Sequence, residues 1–293
     1  MVWDVRGKTI LITGATSGIG LAAAGALTQR GARVVMVGRD PARTEAAAAA
    51  VRARASSPEA GGAAVAHLLC DFSSQAEVRR LAAEFRAAHP RLDVLVNNAG
   101  GVHKVRQETV DGIEATFAVN HLGYFLLTNL LLDVLVASAP ARVVTVASVG
   151  HRQGTLDFDD LGFARGGYRI MRAYARSKLA NVLFAAELAR RLAGTGVTSN
   201  SLHPGAVATN IWSGAPAWAK PLIFLFFRPF FISPEKGGER IVQLAADPAL
   251  DGVSGRYFEN GRPVAPAPLA QDEALAKRLW RTSAELVGLQ ADR

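Results

Sequence analysis

Short continuous apolar runs recur along the chain, and between them lie longer stretches whose apolar positions are spaced for helices. Thr9 to Ile12 is the first such run and ends in Gly14; Leu21 to Gln29 follows as a small-residue helical stretch stopped by Gly31. Val34 to Val37 predicts a second strand, Pro41 to Arg54 an alanine-rich helix, and Ser56 to Gly62 a Ser, Pro and Gly loop. The alternation continues with strands at Val65 to Leu69 and Val94 to Val96, a helix at Gln75 to Ala88 and a long helical region from Gly112 to Ala137. Arg142 to Ala147 predicts a fifth strand, Arg172 to Leu192 a helix, and Thr198 to Leu202 a sixth strand that stops at His203-Pro204-Gly205.

Strands that are apolar throughout are buried on both faces, so the pattern predicts an α/β fold: one parallel sheet covered by helices on each side. Ligands of such sheets bind at the carboxyl ends of the strands. No repeat of fixed period and no linker divides the chain, which predicts a single domain over residues 1–293 with a C-terminal excursion.

Composition narrows the ligand class more than the fold. Of 293 residues, 49% are hydrophobic and 20% charged, and the net charge of +8 is spread without a block of like charges, so nucleic acid is not expected as a partner. Its Arg-rich balance suits a phosphorylated ligand or an anionic surface. Cys70 is the single cysteine, which excludes an intrachain disulfide and multi-cysteine metal sites; it is expected to be a small buried residue. Met1 to Asp4 leads straight into a strand-like run without the charged and apolar regions of a leader, which predicts a cytoplasmic protein. No metal is expected either, because no two-His-plus-carboxylate spacing surrounds His121 or His203, which are assigned to packing and hydrogen bonding.

Between the first strand and helix stands Thr13-Gly14-Ala15-Thr16-Ser17-Gly18-Ile19-Gly20. Glycines there permit a tight turn and let backbone N–H groups approach a pyrophosphate at the helix N-terminus. The spacing resembles the T-G-x-x-x-G-x-G signature of the short-chain dehydrogenase/reductase family, and the resemblance covers nearly the whole chain. It implies a Rossmann-type doubly wound sheet in three α/β/α layers, with Gly14, Thr16, Ser17, Gly18, Ile19 and Gly20 at the cofactor. At the end of the second strand, Gly38-Arg39-Asp40 offers no carboxylate at the tip for a ribose 2′-hydroxyl, whereas Arg39 can pair with a 2′-phosphate, so NADP(H) is favoured over NAD(H). The resemblance further implies that Asp71 meets the adenine amino group and that Phe72 lies against the ring; an N-cap role for Asp71 is the alternative. Asn97-Asn98-Ala99-Gly100 matches the family's N-N-A-G element, which puts Asn98, Ala99 and Gly100 at the cofactor. Pro204, Gly205, Val207 and Thr209 resemble the P-G-x-V-x-T turn that meets the nicotinamide carboxamide.

Tyr174 and Lys178 stand one helical turn apart on the same predicted helix face. An unperturbed phenol is a poor base at neutral pH, but a neighbouring ammonium stabilises phenolate and eases reversible proton transfer. Ser148, at the end of the fifth strand, can hydrogen-bond a substrate oxygen beside Tyr174. Asn120 is an amide in an otherwise apolar helix, where it needs a partner. In the family the matching Asn holds a water that links the Lys to solvent, so Asn120, Ser148, Tyr174 and Lys178 resemble a complete active tetrad. The implied reaction is hydride transfer between nicotinamide and a carbonyl carbon, with Tyr174 giving or taking the hydroxyl proton; the resemblance also puts Tyr174 and Lys178 at the cofactor, Lys178 on the nicotinamide ribose.

Residues 211–235 carry Trp212, Trp218, Phe224, Phe226, Phe227, Phe230 and Phe231, interrupted by prolines and by Lys220 and Arg228. The segment is too interrupted for a spanning helix and is read as a hydrophobic substrate lid, with peripheral membrane contact as its other use. Val119 to Phe125, Tyr174 to Asn181, Ser233 to Gly237 and Ser254 to Phe258 resemble the retinol dehydrogenase-like branch, which implies a lipophilic alcohol or carbonyl substrate. Asp272 to Leu286 predicts an amphipathic C-terminal helix. Family analogy implies a homo-oligomer. Two other functions stay open at this point: a non-catalytic NADP(H)-binding sensor or scaffold, and a reductase of a conjugated C=C bond.

Overall fold

The computed structural model describes residues 3–55, 64–205 and 232–290. Strands β1 (Thr9–Thr13), β2 (Arg33–Gly38), β3 (Val65–Leu69), β4 (Val94–Asn97), β5 (Ala141–Val146), β6 (Val197–His203), β7 (Tyr257–Glu259) and β8 (Arg262–Val264) form one sheet in the order β3-β2-β1-β4-β5-β6-β7-β8. Every pairing is parallel except β7 with β8. The expected parallel sheet gains one antiparallel strand at this end: Asn260-Gly261, both at positive φ, close a hairpin that returns β8 against β7. Neither short strand carries a long apolar run, which is why periodicity did not announce them.

Helices α1 (Gly18–Gln29), α2 (Pro41–Ala55), α3 (Gln75–Ala88), α4 (Ala115–Phe117), α5 (Gly123–Leu130), α6 (Leu132–Ala137), α7 (Ile170–Arg191), α8 (Pro234–Ala246) and α9 (Glu273–Leu286) cover both faces. Alternating strand residues divide between two cores. Leu11, Val35, Leu95 and Val143 face the layer built from Leu81, Phe125, Leu183 and Trp280; Ile10, Met36, Val94 and Val144 face Ala23, Leu27, Ala48 and Ile241. The result is a doubly wound three-layer domain. The chain runs outward from β1 through β2 and β3, then crosses back to β4, so the loops after β1 and β4 diverge at the point where strand order reverses.

The helical region expected from Gly112 to Ala137 is divided. Gly112 lies in a turn at φ +72, and the first helical turn begins only at Ala115, where the Glu114 carboxylate accepts from the N–H groups of Thr116 and Phe117. A turn of π-helix, Ala118–Leu122, then precedes α5, and Leu131 separates α5 from α6. Ser233–Glu235, counted with the substrate lid in sequence, instead starts α8: the Ser233 hydroxyl caps Lys236 N–H. Helix α8 packs on α1 at Gly238, where an added Cβ would come within 2.8 Å of Ala22. Residues 211–231 of the expected lid lie outside the described residues, as do Val207 and Thr209.

Candidate active site

The loop after β1 and the loop after β4 are built against each other. Thr13 Oγ1 accepts from the N–H groups of Asn98 (2.8 Å) and Ala99 (3.0 Å) and donates to Val96 O (3.2 Å). Asn98 Nδ2 returns two hydrogen bonds, to Thr13 O (2.8 Å) and Gly14 O (3.1 Å). The glycines of this loop serve different needs. Gly14, at φ +65, lies where a Cβ would meet Ala99 Cα at 2.7 Å, and a Cβ at Gly20 would meet Asn98 Nδ2 at 2.5 Å. Gly18, at φ +56, would instead send its Cβ into open space ahead of the α1 N-terminus. That space, flanked by Thr16, Ser17 and Ile19, fits the phosphates of a dinucleotide, whose charge the helix N-terminus favours.

At the tip of β2, Arg39 is 77% exposed. Asp40 turns its carboxylate to Arg43 N–H (2.8 Å), leaving Arg39 with a long 3.8 Å ion pair to Asp71. Such an exposed pair is worth little and yields readily to a phosphate. The N-cap alternative for Asp71 is corrected: Ser74 caps α3, while Asp71 accepts from Ser73 N–H and Oγ. Phe72 is also placed differently from the expectation. Its ring is buried in the core with its edge against Gly123. Cys70 is buried as expected, and burial pushes its thiol up to about 12.

Ser148, Tyr174, Lys178 and Asn120 come together at the carboxyl ends of β4 and β5. Ser148 follows β5 and caps a turn of 3-10 helix through Gly150 N–H (3.1 Å), and its Oγ and the Tyr174 ring flank the same glycine. Gly150 lets this turn lie close to the Tyr174 ring, 3.4 Å from where a Cβ would stand. Tyr174 is half-buried and Lys178 is buried. Lys178 Nζ lies 5.6 Å from the Tyr174 ring centre and donates to Val146 O at 3.1 Å. Desolvation lowers its ammonium to about 8. Burial raises the Tyr174 phenol, with the Ser148 side chain as the opposing influence.

Asn120 sits in the π-turn, fully buried, with every polar atom used. Its Nδ2 donates to Gly101 O (3.0 Å) and Ser177 Oγ (3.1 Å), Oδ1 accepts from Gly101 N–H (2.9 Å), and its carbonyl accepts from Asn181 Nδ2 (2.9 Å). Asn181 Nδ2 also reaches Val146 O (3.3 Å), the carbonyl that Lys178 uses. The π-turn displaces the helix register at Asn120, and such turns recur at functional sites.

Several residues here were not found from sequence. His151 is buried in the turn after Ser148: Nε2 accepts Ala267 N–H (3.0 Å), so Nδ1 carries the proton and donates to Ser148 O (2.7 Å). Tyr124 donates its hydroxyl to Ala99 O and braces the loop after β4. Ser177 Oγ donates to Tyr174 O (2.8 Å). Thr13 had a signal as the first residue of the glycine motif, and Tyr124 and Ser177 stand inside the quoted branch motifs, whereas His151 depends on a partner 116 positions away. Of the turn after β6, Pro204 and Gly205 are described. Gly205 has φ +102 and backs onto Arg240 and Ile232, while His203 Nδ1 and Arg240 Nη1 are buried without a hydrogen bond among the described residues. Burial holds the His203 imidazolium down to about 4, so this ring is neutral beside the turn. The open cradle at Gly18, the exposed Arg39 and the orphaned polar atoms by Gly205 fit a nicotinamide dinucleotide along the strand ends.

The fold and this arrangement define a dinucleotide-binding oxidoreductase of α/β type, and the chain belongs to the short-chain dehydrogenase family, whose model matches residues 8–220. Among its relatives, retinol dehydrogenase 14 of Homo sapiens is 46% identical over 97% of this chain and 88% of its own length. A protein from Mycobacterium paratuberculosis of solved structure superimposes with a TM-score of 0.78 at 31% identity, covering 99% of this chain and 96% of that one. The Pseudomonas aeruginosa RhlG/NADP active-site complex gives a TM-score of 0.69 at 26% identity over 93% and 98% of the two chains. Among the described residues no helix is long and apolar enough to cross a membrane.

Proposed function

We propose that this family oxidoreductase uses NADP(H) and transfers hydride between nicotinamide and a lipophilic alcohol or carbonyl compound. The observation that carries the reading is the convergence of Ser148 and the half-buried Tyr174 at Gly150, beside a buried Lys178 that has no carboxylate partner among the described residues. A bound nicotinamide supplies hydride to a carbonyl carbon, or accepts it from an alcohol. Ser148 Oγ holds the substrate oxygen next to Tyr174 Oη. Burial keeps the phenol protonated at neutral pH, so Tyr174 gives its proton to the developing alkoxide in reduction. In oxidation the same oxygen takes the proton, and the Lys178 ammonium stabilises the phenolate that precedes it. Asn120 and Asn181 hold the Val146 end of the lysine and connect it toward Gly101, the direction of the proton path.

Arg39, unobstructed by Asp40, supports NADP(H), as does the NADP named in the RhlG complex. Gly14, Thr16, Ser17, Gly18, Ile19, Gly20, Asp71, Asn98, Ala99, Gly100, Pro204 and Gly205 complete the proposed cofactor set, with Val207 and Thr209 from sequence alone. A lipophilic substrate is supported by the aromatic composition of 211–235 and by relatives named retinol dehydrogenases. The test is titration with NADPH and NADH in wild type, Arg39→Ala and Tyr174→Phe, followed by turnover of apolar aldehydes and ketones. We expect NADPH preference that collapses in Arg39→Ala, and Tyr174→Phe that binds NADPH normally but loses about a hundredfold or more in kcat. NADH preference in wild type would overturn the cofactor assignment; no turnover across the panel would favour a sensor, and saturation of an enone C=C would favour the alkene reductase.

A further inference from the structure

The catalytic helix carries a second, unexplained device. Arg176 lies between Tyr174 and Lys178, and at 100° per residue it leaves α7 on the side away from them. Among the described residues it is one of the largest fully buried side chains, 2% exposed, yet it forms no ion pair there. Its guanidinium donates to backbone carbonyls of one loop: Nε to Thr155 O (3.0 Å), and Nη1 to Asp160 O (2.6 Å) and Leu161 O (2.7 Å). The cation also lies 3.8 Å from the ring centre of Phe163, a buried residue held at φ +55, a conformation unusual for a bulky side chain.

This loop spans the interval between Ser148 and Tyr174, so it leaves one site residue and returns to the other. Gly154 brings it tightly over α7, where a Cβ would stand 2.5 Å from Ala175 O. From Phe163 the contacts run onward: its ring meets Tyr168 edge-on at 5.8 Å, and the Tyr168 hydroxyl donates to His103 O (2.7 Å) and meets Thr116 Oγ1 (3.4 Å). Arg106 Nε adds a hydrogen bond to Gly162 O (2.7 Å). Residues 103–116 themselves run from Gly101 to the π-turn, the two places that Asn120 joins.

We propose that Arg176 is a positioning residue that clamps residues 155–163 and, through Phe163 and Tyr168, the 103–116 segment, so fixing the wall of the substrate cleft beside Tyr174. The cleft role rests on the function proposed above; the clamp does not. The planar fork is essential, since three carbonyls and a ring face are engaged at once, which a lysine ammonium cannot reproduce.

Arg176→Lys tests this with charge and stem retained, and Arg176→Met provides a second variant should the lysine distort the fold. Amide hydrogen exchange on the full chain is expected to rise in 155–169 and 103–106 while α1 and β1 stay protected, with NADPH affinity unchanged. Across aldehydes of increasing bulk, KM is expected to rise about tenfold for the bulky members while kcat for the smallest is kept, as loosening of a distant support does. Unchanged exchange in 155–169 overturns the clamp, and a loss equal for all substrate sizes, or in step with cofactor affinity, overturns its role in the cleft. If wild type turns over no carbonyl compound, the proposed reaction fails and the exchange result alone decides the clamp.

Discussion

His121 joins the site to the C-terminal helix and makes stability depend on pH in a calculable way. Its ring is fully buried among Phe117, Phe125 and Phe184. Asn181 Nδ2 is occupied by two carbonyls, so Asn181 Oδ1 faces His121 Nδ1 (3.3 Å) and Nε2 accepts from Ser283 Oγ (2.9 Å). The neutral ring is therefore fully satisfied, and desolvation lowers its imidazolium from 6.5 to about 4. Because the folded value is depressed, the contribution is complete above pH 6.5 and is lost as pH falls toward 4, where the unfolded chain takes up a proton that the folded one refuses. Between pH 7 and pH 5 this amounts to about 2 kcal/mol. Urea unfolding of wild type and His121→Gln at the two pH values isolates the effect, since His203, His151 and His89 titrate in both. Glutamine destabilises the protein at pH 7, but its loss between pH 7 and 5 should be smaller than that of wild type by about 2 kcal/mol. Equal losses in the two proteins would refute the assignment of a buried neutral His121.

Other substitutions separate roles within the site. Gly14→Ala should lower the melting temperature more than Gly18→Ala: both positions have positive φ, a strain of about 1–3 kcal/mol, but only the Gly14 Cβ also meets the Ala99 backbone, whereas Gly18→Ala should in addition weaken NADPH binding by calorimetry. Lys178→Met should abolish turnover and flatten stability at alkaline pH: with the lysine lowered from 10.5 to about 8, wild type gains up to about 3 kcal/mol as pH rises through that window, and urea midpoints at pH 7.5 and 10 check it. His151→Phe leaves Ala267 N–H unpaired, at a cost of about 1–3 kcal/mol, and takes from Ser148 O one of its two donors, the backbone N–H of residue 151 remaining; it should lower both melting temperature and kcat while the NADPH dissociation constant holds.

Much of this protein could be read from order along the chain alone. Continuous apolar strands bounded by glycine turns determine a sheet covered on both faces, and β3 and α3 fall at the expected residues because their limits are set by local signals. The same holds for the pairing of Tyr174 with Lys178, since helical spacing places them on one face, and for Arg39, which needs only its place at a strand tip. Tertiary structure decided what depends on partners distant in sequence. The interruption at Ala118–Leu122 follows from the bonds of Asn120 to Gly101 and Ser177, not from any local breaker. The hairpin of β7 and β8 is too short for a periodicity and exists because β6 offers an open edge. Whether Lys178 acts directly on the Tyr174 phenol, and whether Phe72 faces outward, are matters of side-chain direction and desolvation that spacing does not contain. Arg176 is the clearest case: in sequence it is one more arginine, and only the enclosure of its guanidinium by Thr155, Asp160, Leu161 and Phe163 turns a charge that belongs in water into the centre of a folded loop.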